Sequence, residues 1–274
     1  MDAEERRAAI ARLISENNGA DIKMLAERFS VSPMTIRRDR KVLSARNQVS
    51  PTHGGAVPVG YLHWELSYAQ KADVNLDKKR AIARVAAELV REDTCIILDA
   101  GTTTLELARM LMHKRLSVVT VDMRIALLLS QSATVKVFTP GGEVDGDVQC
   151  QLDSHARDYL GGVNASLAFV GSLVWDARAG VSCASTAKQA IKRAMIDGSE
   201  RAILLADSEK YGRCSPWAVA RLADFDEIIT DDGLAPEHRQ AITRAGGVVT
   251  VATLHRDEPR PDENNEASLV CLEG

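Results

Sequence analysis

The chain has 274 residues, 45% of them hydrophobic and 26% charged, a make-up that suits a globular protein with room for two domains and a sizeable core. No run approaches the ~20 apolar residues of a membrane helix, and the start, MDAEERRAAI, carries acids where a secretory signal has an apolar stretch, so neither a membrane-embedded nor an exported protein is expected. The net charge of −4 is unevenly spread: residues 1–57 hold ten Lys/Arg against seven Asp/Glu, which leaves 24 bases against 31 acids in the remainder. A basic front on an acidic body is expected to meet a polyanion.

The first element predicted is a helix over residues 3–17, with Ile10, Leu13 and Ile14 at helical spacing and Asn17-Asn18-Gly19 ending it. Asp21 suits the N-cap of a short helix over 22–29, with Ile22, Leu25, Ala26 and Phe29 on one face. Ser30-Val31-Ser32 is a tight connection. Ser32 then caps a helix over 33–46, Pro33 occupies its first turn, and Ile36 and Leu43 face inward. Two short helices joined by a three-residue turn form the helix-turn-helix pattern, whose second helix lies in a major groove of double-stranded DNA. That helix carries Arg37, Arg38, Arg40, Lys41 and Arg46 against one acid, Asp39. Met34, Thr35, Arg37 and Arg38 stand near its N-terminus, where side chains reach base edges, and arginine can grip guanine bidentately. Taken alone, the charge run would equally suit a solvated helix face; spacing, capping and turn together favour DNA. Residues 48–57 read as a small hairpin wing with His53 near its tip, and 58–76 as a connector in which Trp64 and Tyr68 pack.

From residue 77 onward, strands and helices alternate. Helices are predicted over 77–91, 105–112, 124–131, 152–160, 186–196 and 236–244, and strands over 95–98, 116–121, 135–138, 167–170, 202–206, 227–230 and 248–251. The expected fold class is therefore two domains: a mainly α winged helix-turn-helix over 1–57 and, after a linker over 58–76, an α/β domain over 77–255 with a mainly parallel sheet, followed by a tail over 256–274. Ligands of such sheets bind outside the carboxyl ends of the strands.

The chemistry-bearing groups collect at those ends. Asp99-Ala100-Gly101-Thr102-Thr103-Thr104 runs from a strand into a helix, whose first amides and dipole favour a phosphate; the bland alternative is a turn capped by threonine. The run is neither a Walker loop nor a dinucleotide fingerprint. Gly141-Gly142 and Gly171-Ser172 follow two further strands. Asp207 and Lys210 follow another: the lysine offers a mobile charge for a phosphate and the aspartate an acceptor for a sugar hydroxyl, or they are a solvated lysine and a turn aspartate. The five cysteines are scattered without a CxxC pair, which fits reduced thiols in a cytoplasmic protein; no metal or cofactor is expected.

Val31-Ser32, Thr35-Ile36-Arg37-Arg38-Asp39 and then Thr52-His53-Gly54-Gly55-Ala56 resemble the DeoR family of bacterial transcriptional regulators, a likeness that continues to about residue 233. The resemblance implies a repressor whose second domain is similar in fold to sugar-phosphate isomerases and binds a phosphorylated sugar effector. It assigns Asp99–Thr104, Gly141-Gly142, Phe169-x-Gly171 and Asp207-Ser208-x-Lys210 to that site, with Lys78 as a weaker candidate for the same anion. Departures from the family pattern are Arg40 in place of leucine on the Ile36–Leu43 stripe, Asn47 in place of glycine, Pro51 in place of arginine, Asp122 after the strand ending near 120, and Lys188 where relatives tend to carry an acid. Asp122 either caps the next helix or faces the ligand. Three functions compete: a regulator of carbohydrate-metabolism genes, acting as a homo-oligomer on a two-fold operator; an isomerase-like enzyme with an appended DNA-binding module; and an architectural DNA binder with no ligand.

Overall fold

A computed structural model describes residues 2–16, 19–46, 48–51, 54–58 and 68–254. The N-terminal part consists of α1 (Ala3–Glu16), β1 (Ala20–Asp21), α2 (Ile22–Phe29), α3 (Pro33–Ala45), β2 (Val49–Pro51) and β3 (Gly55–Pro58). Each boundary has a local cause. Asp21 accepts the amides of Lys23 and Met24 at the head of α2, Ser30 adopts the left-handed conformation at its end, and Ser32 accepts the Thr35 amide at the head of α3. Ile10, Ile14, Leu25, Ile36 and Leu43 close a small core. The wing is three-stranded rather than a bare hairpin, because β1 joins β3 on the side away from β2. Gly55 permits this approach: a side chain there would meet the Ala20 carbonyl oxygen at 2.0 Å.

Asp39, the single acid of the basic run, is the residue that seats α3. It is 1% exposed and accepts Arg6 Nε at 2.7 Å and Arg7 Nε at 3.0 Å from α1. Arg46, at the far end, grips Glu4 of α1 with both guanidinium nitrogens, at 2.7 and 3.1 Å.

The second part opens with α4 (Tyr68–Ala72) and α5 (Leu76–Glu88), both within or beginning in the segment expected to be a connector. There follow β4 (Thr94–Leu98), α6 (Thr102–Leu111), β5 (Leu116–Thr120), α7 (Met123–Ser130), β6 (Val135–Phe138), the short pair β7 (Val144–Asp145) and β8 (Cys150–Gln151), α8 (Ser154–Gly161) and β9 (Ala165–Gly171). The chain continues through β10 (Val174–Asp176), β11 (Gly180–Cys183), α9 (Thr186–Asp197), β12 (Ser199–Leu205), β13 (Trp217–Ala220), β14 (Glu227–Asp231), α10 (Pro236–Arg244) and β15 (Val249–Ala252). Seven strands form one parallel sheet in the order β15-β14-β12-β9-β4-β5-β6. Its strands are almost continuously apolar, as a sheet covered on both faces requires. Ile96 and Leu98 pack with α5, α6 and α7, while Ile97 packs with α8 and α9. From β4 the chain winds outward through β5 to β6, then returns to β9 on the other flank, so the topological switch lies between β4 and β9.

Two features escape the alternation. β10, β11 and β13 make a separate antiparallel sheet, with Trp175 fully buried and its indole donating to the Asp207 carbonyl at 3.1 Å. Helix α6 starts three residues earlier than its apolar pattern indicates, because the polar triplet Thr102–Thr104 forms its first turn. Among the described residues no helix is long and apolar enough to cross a membrane. Trp64, Asn47 and the tail over 256–274 lie outside the described residues.

Removing the acid that two guanidinium groups share takes Arg6 from its partner and leaves Arg7 with exposed Glu4 alone, in a partly buried site. Asp39→Ala is expected to lower the free energy of unfolding by about 3 kcal/mol, measured by urea denaturation; a loss below about 0.5 kcal/mol, the level of an ordinary surface substitution, would contradict this role.

Candidate functional site

Two surfaces carry chemistry. On α3, Met34 is 68% exposed, and Arg37, Arg38 and Lys41 are exposed and make no ion pair with a described residue. Ser32 and Thr35 sit at the cap, their hydroxyl oxygens 3.0 Å apart. Pinning by Asp39 turns its own edge of the helix, shared with Ile36 and Leu43, inward, which leaves the arginine pair outward. Arg40 differs from its neighbours: it is half-buried and donates to the Gly55 carbonyl at 3.0 Å, tying α3 to the wing. It reaches a polar acceptor from an apolar stripe by extending its stem. His53 lies outside the described residues.

The second surface is a pocket at the switch point. It is lined by Asp99–Thr104 from the β4–α6 turn, Gly171–Leu173 from the end of β9, Cys150 and Leu152, Cys183 at the end of β11, Lys188, Ile191 and Lys192 from α9, Lys210, and Lys71 from α4. The Asp99 carboxylate, 2% exposed, accepts the Ala100 amide at 2.8 Å, the Gly171 amide at 2.9 Å and the Lys192 ammonium, which also donates to the Gly171 carbonyl at 2.8 Å. Asp99 thus joins the mouths of β4 and β9, with three of its acceptor sites taken by the protein.

Asp122 resolves its two readings. Buried at the head of α7, it accepts the Arg124 amide at 2.8 Å and, with its other oxygen, the Gly101 amide at 3.2 Å. Burial pushes its pKa up, against the pull of those amides. The Gly101 amide is therefore occupied. The Thr104 hydroxyl donates back to the Gly101 carbonyl at 2.9 Å, and no side chain caps α6. The amides of Thr102, Thr103 and Thr104, residues that line the pocket, have no hydrogen-bond acceptor among the described residues. With lysines in the same lining, they can seat an anion.

Four expected members lie elsewhere. Gly141 and Gly142 form a left-handed turn; a side chain on Gly142 would sit 2.4 Å from the Asp153 carboxylate, which caps α8. Lys78 pairs with Glu209 at 3.0 Å and stands 3.6 Å from buried Asp231, while Ser208 donates to the same Asp231 at 2.7 Å. Burial works against its ammonium, but these carboxylates outweigh it and raise its pKa. Asp207 is also outside the lining: 1% exposed, it holds Lys210 at 3.1 Å and Asn75 at 3.4 Å rather than a ligand hydroxyl. Lys71, Lys192, Cys150 and Cys183 were not singled out for the pocket, and Lys188 was noted only as a departure. Burial raises both thiols, Cys150 to about 12, so neither is a nucleophile at neutral pH.

Residues 6–59 match the model of a DeoR-like helix-turn-helix domain, and 74–232 that of a DeoR C-terminal sensor domain. The chain is 35% identical over 241 residues to the uncharacterized HTH-type transcriptional regulator YgbI of Escherichia coli, covering 88% of this chain and 94% of that one. It is 32% identical over 232 residues to the transcriptional repressor AccR of Agrobacterium fabrum, covering 84% and 90%. Among solved structures, it is similar to ribose 5-phosphate isomerase A of Methanocaldococcus jannaschii, with 16% identity, 50% and 55% of the two chains covered, and a TM-score of 0.38.

Buried Lys79, on α5, donates to the carbonyls of Lys71 and Ala72 and so holds α4, with its pocket lysine, in place. Burial, with repulsion from Lys210 next in weight, lowers its pKa from 10.5 to about 8. The unfolded chain keeps this proton up to about pH 10.5 whereas the folded protein releases it near 8, so folded-state stability should rise with pH across that window, by at most ~1.4 kcal/mol per pH unit. Urea denaturation at a series of pH values should show this rise relative to Lys79→Met; a flat or falling difference would contradict it.

Proposed function

This chain belongs to the DeoR family of DNA-binding transcriptional regulators, and from that premise we propose that it represses carbohydrate-metabolism genes and that a phosphorylated sugar or related intermediate sets its affinity for the operator. The observation that carries this reading is the pairing, in one chain, of an outward arginine pair on a pinned helix with a lysine-lined pocket at the switch point of a parallel sheet.

On the DNA side, α3 lies in the major groove. Arg37 and Arg38 reach base edges, Met34 offers an apolar contact to a thymine methyl, and Lys41, Ser32 and Thr35 meet phosphates. A second copy reads the other half-site of a two-fold operator. On the sensor side, the effector phosphate accepts the Thr102–Thr104 amides and the charge of Lys210.

Coupling follows from what Lys210 holds without ligand. It pairs with Asp207, which also holds Asn75 at the head of α5, and the adjoining Ser208 and Glu209 hold Lys78 one turn further on. A phosphate that draws Lys210 away from Asp207 loosens this latch on α5 and on α4 beside it, the elements that follow the connector to the DNA-binding part. Such couplings are worth about 1–3 kcal/mol. The pocket serves sensing and not turnover.

Duplexes selected by the full-length protein from a random-sequence pool provide the test. Arg37→Ala and Arg38→Ala should each weaken gel-shift affinity about 10- to 100-fold while the thermal shift given by a sugar phosphate persists. Undiminished affinity in both variants would overturn the DNA assignment. Sustained conversion of pentose or hexose phosphates would overturn the sensing one.

A further inference from the structure

We infer that the stack of the Arg124 guanidinium on the Tyr68 ring carries the state of the phosphate turn to α4, and that a bound effector opens it. The inference rests on the proposal that a phosphate seats on the α6 amides, and it names the joint through which that seat acts on the element beside the connector.

Each contact of the joint is short. Asp122 holds the turn with one carboxylate oxygen, on the Gly101 amide at 3.2 Å, and the head of α7 with the other, on the Arg124 and Ile125 amides at 2.8 and 3.3 Å. The Arg124 side chain lays its guanidinium carbon 3.4 Å from the centroid of the Tyr68 ring. Tyr68 opens α4, and it packs half-buried against the core that α5, α6 and α7 share. At the other end of α4, Lys79 donates to the carbonyls of Lys71 and Ala72. Arg124 and Lys79 therefore clamp the two ends of a five-residue helix, which is too short to persist on its own.

Two observations make the Arg124 end the movable one. Nη1 of Arg124 is buried and has no hydrogen-bond partner among the described residues. Leaving a buried donor unpaired costs about as much as a cation gains over an aromatic face, so closed and open positions of the side chain are near balance. The second observation concerns charge. Of the two acids that act on the Tyr68 ring, Glu106 is paired with Arg80 and Arg109, which leaves Asp122 as the counter-charge of Arg124. A phosphate on the Thr102–Thr104 amides brings about two negative charges next to the amide that Asp122 holds. It repels that carboxylate and attracts the guanidinium. The balance then tips: Arg124 turns from the ring toward the phosphate turn, where Nη1 gains an acceptor, and α4 loses its hold at Tyr68. Ligand and closed stack thus compete, which is the differential interaction that a ligand-driven shift requires.

The full-length protein and the operator that it selects provide the test. Ribose 5-phosphate, glucose 6-phosphate, fructose 6-phosphate and fructose 1,6-bisphosphate are the probes, and the one giving the largest thermal shift is carried forward. It should change wild-type operator affinity about tenfold in gel shifts, and it should speed hydrogen exchange of the 68–72 amides about threefold or more, read by mass spectrometry. In Arg124→Met and in Tyr68→Leu, with unfolding midpoints checked by circular dichroism, the thermal shift should persist while the operator response falls below about threefold. Tyr68→Phe keeps the ring face and should respond as the wild type does, whereas a residue that only fills space would be replaced as well by leucine. A full response in Arg124→Met or Tyr68→Leu, a response lost in Tyr68→Phe, or α4 exchange unmoved by the probe would overturn the stack inference and leave sugar-phosphate sensing standing. Should Arg124→Met not fold, the two Tyr68 variants decide. No thermal shift from any probe, or no change in wild-type operator affinity, would overturn both.

Discussion

Asp99 leaves the end of β4 with its carboxylate buried and satisfied by the Ala100 and Gly171 amides and by Lys192. Burying both charges costs several kcal/mol per ion, which good geometry and extra hydrogen bonds only offset. Its value is therefore positional. The sheet reverses its winding between β4 and β9, and the last backbone bond between those strands is the Asp99 amide donating to the Phe169 carbonyl at 3.0 Å. One carboxylate bridges the gap and fixes the turn into α6. Asp122 completes the arrangement by holding the Gly101 amide from the β5 side. With the two ends of the turn held by acids behind it, the three following amides, on residues that line the pocket, have no acceptor among the described residues. Two buried carboxylates thus build an anion site without lining it with negative charge: one is neutralised by Lys192 and the other lies behind the backbone.

The DNA-binding part uses the same device at smaller scale. Asp39 sits on the basic helix but points back to Arg6 and Arg7 of α1. A helix with so many bases on one side gains little from apolar packing, since Ile36 and Leu43 are the large apolar side chains that it buries. An ion triad adds a directional constraint that two aliphatic contacts cannot supply, and rotation of α3 about its axis would break both bonds. Arg40 adds a third tie, to the wing. The exposed direction of Arg37 and Arg38 is thus a consequence of where their neighbours are held.

This explains what a reader of the sequence could and could not see. Caps and turns are local, so Asp21, Ser32, Pro33 and the helices they begin were legible, as were most strands of the parallel sheet from their short apolar runs. The phosphate-type turn was legible because its residues are contiguous. Lys192 was not: it lies 93 positions from Asp99, and on its own helix it looks like any solvated lysine. Lys71 was hidden in a segment without clear period, which turned out to hold a five-residue helix. The antiparallel sheet of β10, β11 and β13 was missed because its strands are three or four residues long and 33 residues separate its last strand from the second, so neither periodicity nor hairpin spacing announces it. Gly141-Gly142 misled for the opposite reason. A glycine pair after a strand looks like close approach to a ligand, but here the close approach is to Asp153.

The location of the pocket's charges bears on how a small ligand can influence a distant helix. Lys192 and Asp99 belong to the sheet's rigid centre and have little freedom to respond. Lys71 and Lys210 belong to short peripheral elements, a one-turn helix and a 3₁₀ turn, whose anchors include polar side chains as well as the rings of Tyr68 and Tyr211. Elements held this way exchange partners at modest cost, because an incoming phosphate replaces the carboxylate that Lys210 gives up, so that no charge need be left bare. The differential energy available is then of the order of one partly buried ion pair. That matches the 1–3 kcal/mol of typical allosteric coupling and corresponds to a change in operator affinity of about 5- to 150-fold, enough to govern occupancy of a site without having to reorganise either core.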